Sequence, residues 1–418
     1  MAQELAIDML VVSRQEQPPA DAAIARTLAA GGLGTPEYVP AESRMQSTPA
    51  PGARQRIGTY TVQAPPGLHA TCKLPVFHYG GAVTEGMSES AFHALTQGLG
   101  AEDVRTLREG TIALELRVTS SDQQVPRVLD WAIHLVRVLV DLSHGACVDP
   151  AAQRCYGLAE LQRFAARDPL AHVNFHNEAW DADSRWLHTH GLQKLARPEL
   201  DLVAVPLSLE DEGLGFLREV AASLAGGDHL AAGGEIDMGE LGTVVSIGVA
   251  PDVDHQAPYG RLRLADAALP GELQGISIIR LLVRMALADA RRHADSADVA
   301  GALAAIERVL AADPDECTAL TLKARLSLDC GDAALALDLG EYMELRVPGD
   351  YRGPLTVGLA LCALGRYREA LQALNRAIKV EPEAADAFAV RSLVHGRMGH
   401  ERLASEDHAH ALYLGYRG

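Results

Sequence analysis

The sequence predicts an α+β domain, with a mixed and mostly antiparallel sheet and helices, followed by an all-α array of helical repeats. Three observations carry that fold class. The first 270 residues alternate short strand-like apolar runs with helical patterns. The last third repeats itself every 34 residues. The charge is also unevenly spread: the formal net charge is −18, yet from Val283 onward the chain holds 16 basic and 20 acidic residues. Most of the acid excess therefore belongs to the first part.

The chain has 418 residues, 48% of them hydrophobic, which is ordinary for a globular protein and suits two or three domains. The acid excess argues against nucleic acid or an anionic membrane as partner, since both reward clustered Lys and Arg. Six cysteines lie scattered without a C-x-x-C pair, as expected of reduced, mostly buried thiols. The N-terminus has acids where a secretory leader needs a basic segment, and no stretch reaches 18 apolar residues. The expected compartment is the cytoplasm, with no membrane contact.

Residues 1–270 form the expected α+β domain, as one unit or two. Period-two runs predict strands over 5–12, 59–63, 71–77, 111–118, 171–178, 185–190, 200–205, 244–249 and 261–264. Helical spacing predicts helices over 19–30, 88–98, 125–143, 158–166 and 209–224, the last with Ser208 as N-cap. The helix over 125–143 is apolar almost all round, so it is expected between two layers, with Trp131 in the core. Residues 42–54 read as a loop and 271–282 as the junction to the repeats.

In the C-terminal part, Pro314, Pro348 and Pro382 fall in register, as do Gly331, Gly365 and Gly399, and Ala302, Ala336, Ala370 and Ala404. The small residue lets two antiparallel helices approach, the Gly permits the turn between them, and the Pro ends the second helix. Such units cannot bury their apolar faces alone and must stack. The pattern resembles the tetratricopeptide repeat (TPR), most clearly over 351–384, which carries Gly358, Gly365, Tyr367, Ala370, Leu374, Ala377 and Pro382. Units over 283–316, 317–350 and 385–418 match more weakly, and Ala297 stands where the first should have its turn Gly. The resemblance implies a scaffold that binds a protein or peptide partner, or a second copy of itself as a homo-oligomer. It places Tyr351, Leu361, Phe388 and His395 on the first helices, where a groove would bind. The last unit is expected to be covered, because the exposed end of a solenoid needs a polar cap.

The most chemically loaded segment is AHVNFHNEAWDADSRWLHTHGL, Ala171–Leu192. Two alternating runs flank a turn-like Asp-Ala-Asp-Ser cluster, which predicts a β-hairpin. In a strand, residues two apart share a face. A register that pairs His176 with His188 would gather His176, His188 and His190, with Glu178 in reach, in a set suited to zinc. A one-residue slip would scatter them.

His188-x-His190 followed by Asp201 resembles the zinc motif of JAMM-type metalloproteases, which implies His188, His190 and Asp201 as ligands and an upstream Glu as general base. The chain departs from that pattern at Gly191 and Pro198. Glu115, the nearest upstream candidate base, is distant in sequence, and 199–206 alternates like a strand where that family starts a helix. The same stretch, W-x-H-T-H-G-L, is similar to uncharacterised bacterial domains of unknown function. Gly31-Gly32-Leu33-Gly34 lacks the ending of a P-loop, and no G-x-S-x-G elbow is present. Ten acids against one Arg between Glu199 and Glu240 suggest a solvated face, or a surface for a cation or basic partner.

Two functional readings follow. One is a cytoplasmic adaptor that needs no catalytic residues and no cofactor. The alternative is a zinc-dependent hydrolase built on the hairpin.

Overall fold

The computed structural model of the chain describes residues 5–41, 49–121, 125–164, 168–241, 243–250, 260–266 and 278–417. Among the described residues, the α+β part holds two sheets. The first is antiparallel and seven-stranded, in the order β2 (Pro36–Pro40), β3 (Arg54–Gln63), β4 (Ala70–Tyr79), β5 (Ile112–Ser120), β1 (Leu5–Ser13), β6 (Ala146–Asp149) and β7 (Arg154–Tyr156). The second is six-stranded, in the order β11 (Glu235–Asp237), β12 (Val244–Val249), β13 (Arg261–Asp266), β10 (Glu199–Pro206), β9 (Ser184–His190) and β8 (Asn174–Ala179). Its β10–β13 pair is parallel and the rest antiparallel, so the pairing is mixed, as expected.

The first sheet shows why alternation works as a signal. Leu5, Ile7, Met9 and Val11 of β1 and Leu114, Leu116 and Val118 of β5 point into the core. Asp8, Glu115 and Arg117 point outward, where Arg117 pairs with Asp8 at 2.7 Å and Arg54 with Glu115 at 2.6 Å. Helix α4 (Val125–Ser143) lies on the inner face, against β1, β5 and β6. Its other sides meet α1 (Asp21–Ala30), α5 (Leu158–Arg163) and a 3-10 turn at Leu192–Leu195. That explains a helix apolar almost all round. Trp131 is core, and its indole donates to the Leu33 carbonyl at 2.8 Å.

Short or polar elements lack a sequence signal: β2, β6, β7, β11 and helix α3 (Ala101–Glu109), which follows α2 (Glu89–Thr96). The strand expected over 171–178 begins later, at Asn174, because Pro169–His172 form a 3-10 turn. Ser208 does not cap α6 (Glu210–Gly226). A 3-10 turn at Leu207–Leu209 precedes that helix, and the Ser208 hydroxyl is buried without a hydrogen-bond partner. The ends of the expected loop, of the helix over 158–166 and of the junction fall partly outside the described residues.

The C-terminal region is a run of helices: α7 (Ile279–Asp295), α8 (Val299–Ala312), α9 (Cys317–Asp329), α10 (Ala333–Arg346), α11 (Arg352–Ala363), α12 (Tyr367–Val380), α13 (Ala385–Arg397) and α14 (Glu401–Tyr413). Gly331, Gly365 and Gly399 turn between helices at φ +83°, +73° and +77°, a region nearly closed to other residues. Ala297 holds the equivalent turn at φ +61°. Of the in-register alanines, Ala302, Ala336 and Ala370 are buried, as close helix approach requires, and Ala404 of the last unit is half-buried.

The array is joined to the α+β part through its first pair. Leu281, Leu282 and Ala286 of α7 and Ile306 and Val309 of α8 share one apolar core with both sheets. Arg308 of α8 donates to Glu212 of α6 at 2.8 Å and to Asp289 of α7 at 3.3 Å. Beyond that, the core built on Leu355, Val357, Leu361 and Leu374 is separate. The two sheets are tied by Lys194 and Asp149, each 1% exposed, with the ammonium donating to the carboxylate at 2.5 Å.

Two stability outcomes follow. Lys194→Ala leaves a buried carboxylate unpaired and is expected to cost about 3–5 kcal/mol in urea unfolding, while Lys194→Met with Asp149→Leu recovers most of the loss. Ala297→Gly relieves a left-handed alanine and is expected to add about 0.5–1 kcal/mol, with unchanged circular dichroism.

Candidate functional site: a histidine cluster on the second sheet

The hairpin expected over Ala171–Leu192 forms as β8 and β9. Its register places His176 opposite His188, Asn174 opposite His190 and Glu178 opposite Trp186. His176, His188 and His190 therefore share one face. Each offers a ring nitrogen, and these atoms all lie within 4.8 Å of one another. Ring centroids are 5.2 Å apart for His176–His188, 4.7 Å for His176–His190 and 5.0 Å for His188–His190.

The surroundings hold the rings in place. Trp186 stacks on His188 at 4.0 Å. The side-chain amide of Asn174 lies 2.8 Å from His176 Nε2. The Glu178 carboxylate lies 4.0 Å from His188 Nε2. His188 Nδ1 is buried without a hydrogen-bond partner. Burial, with the neighbouring His190, Arg261 and His176, holds His188 far below the usual imidazole range. Burial, with His176 and Arg261, lowers His190 to about 3. Both rings are therefore neutral at pH 7, with a lone pair each to offer a ligand.

Asp201 does not join them. It lies opposite His188 in the β9–β10 register, but its carboxylate accepts from the Trp186 indole at 2.5 Å and from Arg263 at 2.8 Å. Nor does Glu115 approach: it lies on the first sheet, paired with Arg54. Residues Glu199–Pro206 form a strand, not a helix. Gly191 has φ +113°, and a Cβ there would stand 2.3 Å from the His172 carbonyl oxygen, so neither proline nor any larger residue fits. The set of His188, His190, Asp201 and an upstream glutamate is thus not assembled.

Glu199 organises the strand end next to the cluster. It is fully buried, and its carboxylate accepts from the Thr189 hydroxyl at 2.7 Å, Gly191 N–H at 2.7 Å and Gln193 N–H at 3.3 Å. Burial raises its pKa, while those donors and Arg261, its register partner on β13, oppose the rise. No pattern of period or spacing marks Glu199 beforehand. The acids that follow it divide: Asp211, Glu219, Asp228, Glu235, Asp237 and Glu240 are exposed, as a solvated face requires, and others are engaged. Asp201 is buried, Glu210 pairs with Arg185 at 3.6 Å, Glu212 with Arg308, and Asp228 accepts from Ser223 at 2.6 Å.

The expected groove residues of the array are mostly packed. Leu361 lies in the internal core, because its face of α11 meets the neighbouring helices. Phe388 is covered by His410 of α14, with ring centroids 4.4 Å apart. His395 is half-buried beside Asp407, at 3.9 Å. Tyr351 remains half-open, lining a shallow depression with Glu381, Asp386 and Arg417.

Residues 358–399 match the family model described as the TPR repeat. No curated protein matches the chain. Among solved structures, a thermophilic TPR protein from Thermus thermophilus is 26% identical, covering 32% of this chain and 74% of that one, with a TM-score of 0.30. A crystal structure of MamA protein is 23% identical, covering 32% of this chain and 72% of that one, with a TM-score of 0.26. MamA from Desulfovibrio magneticus is 20% identical, covering 32% and 75%, with a TM-score of 0.27.

Glu199→Ala removes the acceptor of three donors and the charge facing Arg261. It is expected to cost about 3–5 kcal/mol by urea unfolding, and Glu199→Gln, which keeps one acceptor oxygen, clearly less.

Proposed function

We propose that the protein is an interaction protein whose TPR-like array binds a protein or peptide partner or a second copy of the chain. The observation that carries this reading is the arm itself. The first helix pair is built into the α+β core, whereas α11, α12 and α13 build a core of their own, with α10 packed on one side of them and α14 on the other. The match of residues 358–399 to the TPR repeat lies within that arm. In this reading the protein works in the cytoplasm. Residues 1–270 are the base, 271–282 the junction, and 283–316, 317–350, 351–384 and 385–418 the four units. No helix among the described residues is long and apolar enough to cross a membrane.

The arm also displays apolar side chains. Leu393 is 50%, Leu412 53% and Tyr413 85% exposed, so the α+β domain does not cover the last pair. Association through the last helix pair would remove such side chains from water. Sedimentation of the full chain, with photo-crosslinking from Leu393 and Leu412 in the producing cell, tests the reading. The expected result is self-association or a discrete protein adduct, weakened about tenfold or more by Leu393→Glu with Leu412→Glu at unchanged thermal stability. A strictly monomeric chain that crosslinks to no protein from either position would overturn it.

A further inference from the structure

We propose that His176, His188 and His190 bind one divalent transition-metal ion of the zinc class. The site differs from the His188, His190, Asp201 set, and it does not depend on the arm.

Three features point to it. First, the three ring nitrogens converge from two strands whose register is set by the backbone ladder, so the cluster is part of the fold. Second, the rings are already held in place: His188 and His190 are buried, and Trp186 stacks on His188 at 4.0 Å. Little ordering remains to be done when an ion binds. Third, the donors suit the ion. Imidazole binds zinc, copper and nickel well, and three protein nitrogens leave one position of a tetrahedron open. Glu178, 4.0 Å from His188 Nε2 and half exposed, can reach that position. Nitrogens around a tetrahedral ion stand about 3.4 Å apart, given metal–nitrogen distances near 2.1 Å. Binding requires the present spacing to close to that value by rotation of the rings, with His176 at the half-exposed edge giving up its contact to Asn174 if its Nε2 is the ligand atom.

The opposing charge is Arg261, which is buried close enough to depress both His188 and His190. Its register partner on β10 is Glu199, and Arg263 beside it is paired with Asp201. Each arginine thus faces a carboxylate, and the strip beside the histidines is close to neutral. Asn174, at 2.8 Å from His176, supplies the outer-shell contact that orients such ligands. Because β8 is an edge strand, an ion shared between β8 and β9 would pin an edge otherwise held on one side only.

The test uses the full chain, freed of metal by a chelator and prepared without metal-affinity steps. It is titrated with Zn²⁺ by calorimetry and with Co²⁺ by visible spectroscopy. The expected result is one ion per chain, tetrahedral Co²⁺ bands, and a rise of about 5 °C in the unfolding midpoint at saturating Zn²⁺. His176→Ala, at a half-exposed position, should keep the fold by circular dichroism and weaken binding about 100-fold or more. His188→Ala should do the same, though its buried ring makes it the second choice. Asp201→Asn and His395→Ala should bind as the parent does. The proposal falls if the parent binds no ion, if His176→Ala binds as tightly as the parent, or if Asp201→Asn abolishes binding in a folded protein.

Discussion

The buried pair of Lys194 and Asp149 is the constraint on which the α+β part is organised. Asp149 ends β6 in the first sheet, and Lys194 lies in the turn after β9 in the second. The carboxylate is fully engaged, since its other oxygen accepts from Ala152 N–H at 3.0 Å. A buried ion pair contributes little net stability relative to a well-packed apolar pair, but it tolerates only one arrangement of its two charges. The two sheets are therefore held in one relation. The turn that carries Lys194 begins at Gly191, directly after His190, and its N–H groups at Gly191 and Gln193 are gathered by Glu199. The ion pair, the turn at Leu192–Leu195 and the Glu199 carboxylate thus form one chain of contacts that ends at the histidine face.

The array obeys a different logic. Its geometry is set locally, by a left-handed glycine between helices and small residues where helices cross, and each unit needs only its neighbours. That is why the first pair can merge with the α+β core while the rest extends from it. Ala297 stands at the turn of the merged pair. There the packing of α7 and α8 on each other, on α6, on β13 and on the turn at Leu207–Leu209 over-determines the backbone, so a strained alanine is held in place.

This contrast explains what the sequence made legible. The repeats were readable because each position carries a steric demand that recurs at a fixed interval. The hairpin was readable because alternation sets faces, and the pairing of His176 with His188 follows once the turn is placed. The strands β2, β6, β7 and β11 were not, being three to five residues long and in part polar, too short for a period to show. Glu199 was invisible for another reason. An acid in an acid-rich stretch reads as solvated, and only the convergence of three donors from Thr189, Gly191 and Gln193 makes it a core residue. Of the ten acids in that stretch, six are exposed, as a solvated face requires, while pairing with Arg185, Arg263 and Arg308 takes up Glu210, Asp201 and Glu212.

Asp201 shows how much register decides. It stands across from His188 and by spacing alone is a fair metal ligand. Strand β13 runs parallel to β10 on its other side and brings Arg263 level with Asp201, while Trp186 reaches it from β9. A carboxylate that already accepts a guanidinium and an indole would have to give up both to reach an ion, leaving Arg263 as an uncompensated half-buried charge. His176 is placed differently. It lies on the open side of β9, on the edge strand, and its ring is steadied by the neutral side-chain amide of Asn174. The sheet therefore divides the work across β9: the inner side holds charges in pairs, and the outer side sets three ring nitrogens facing one another.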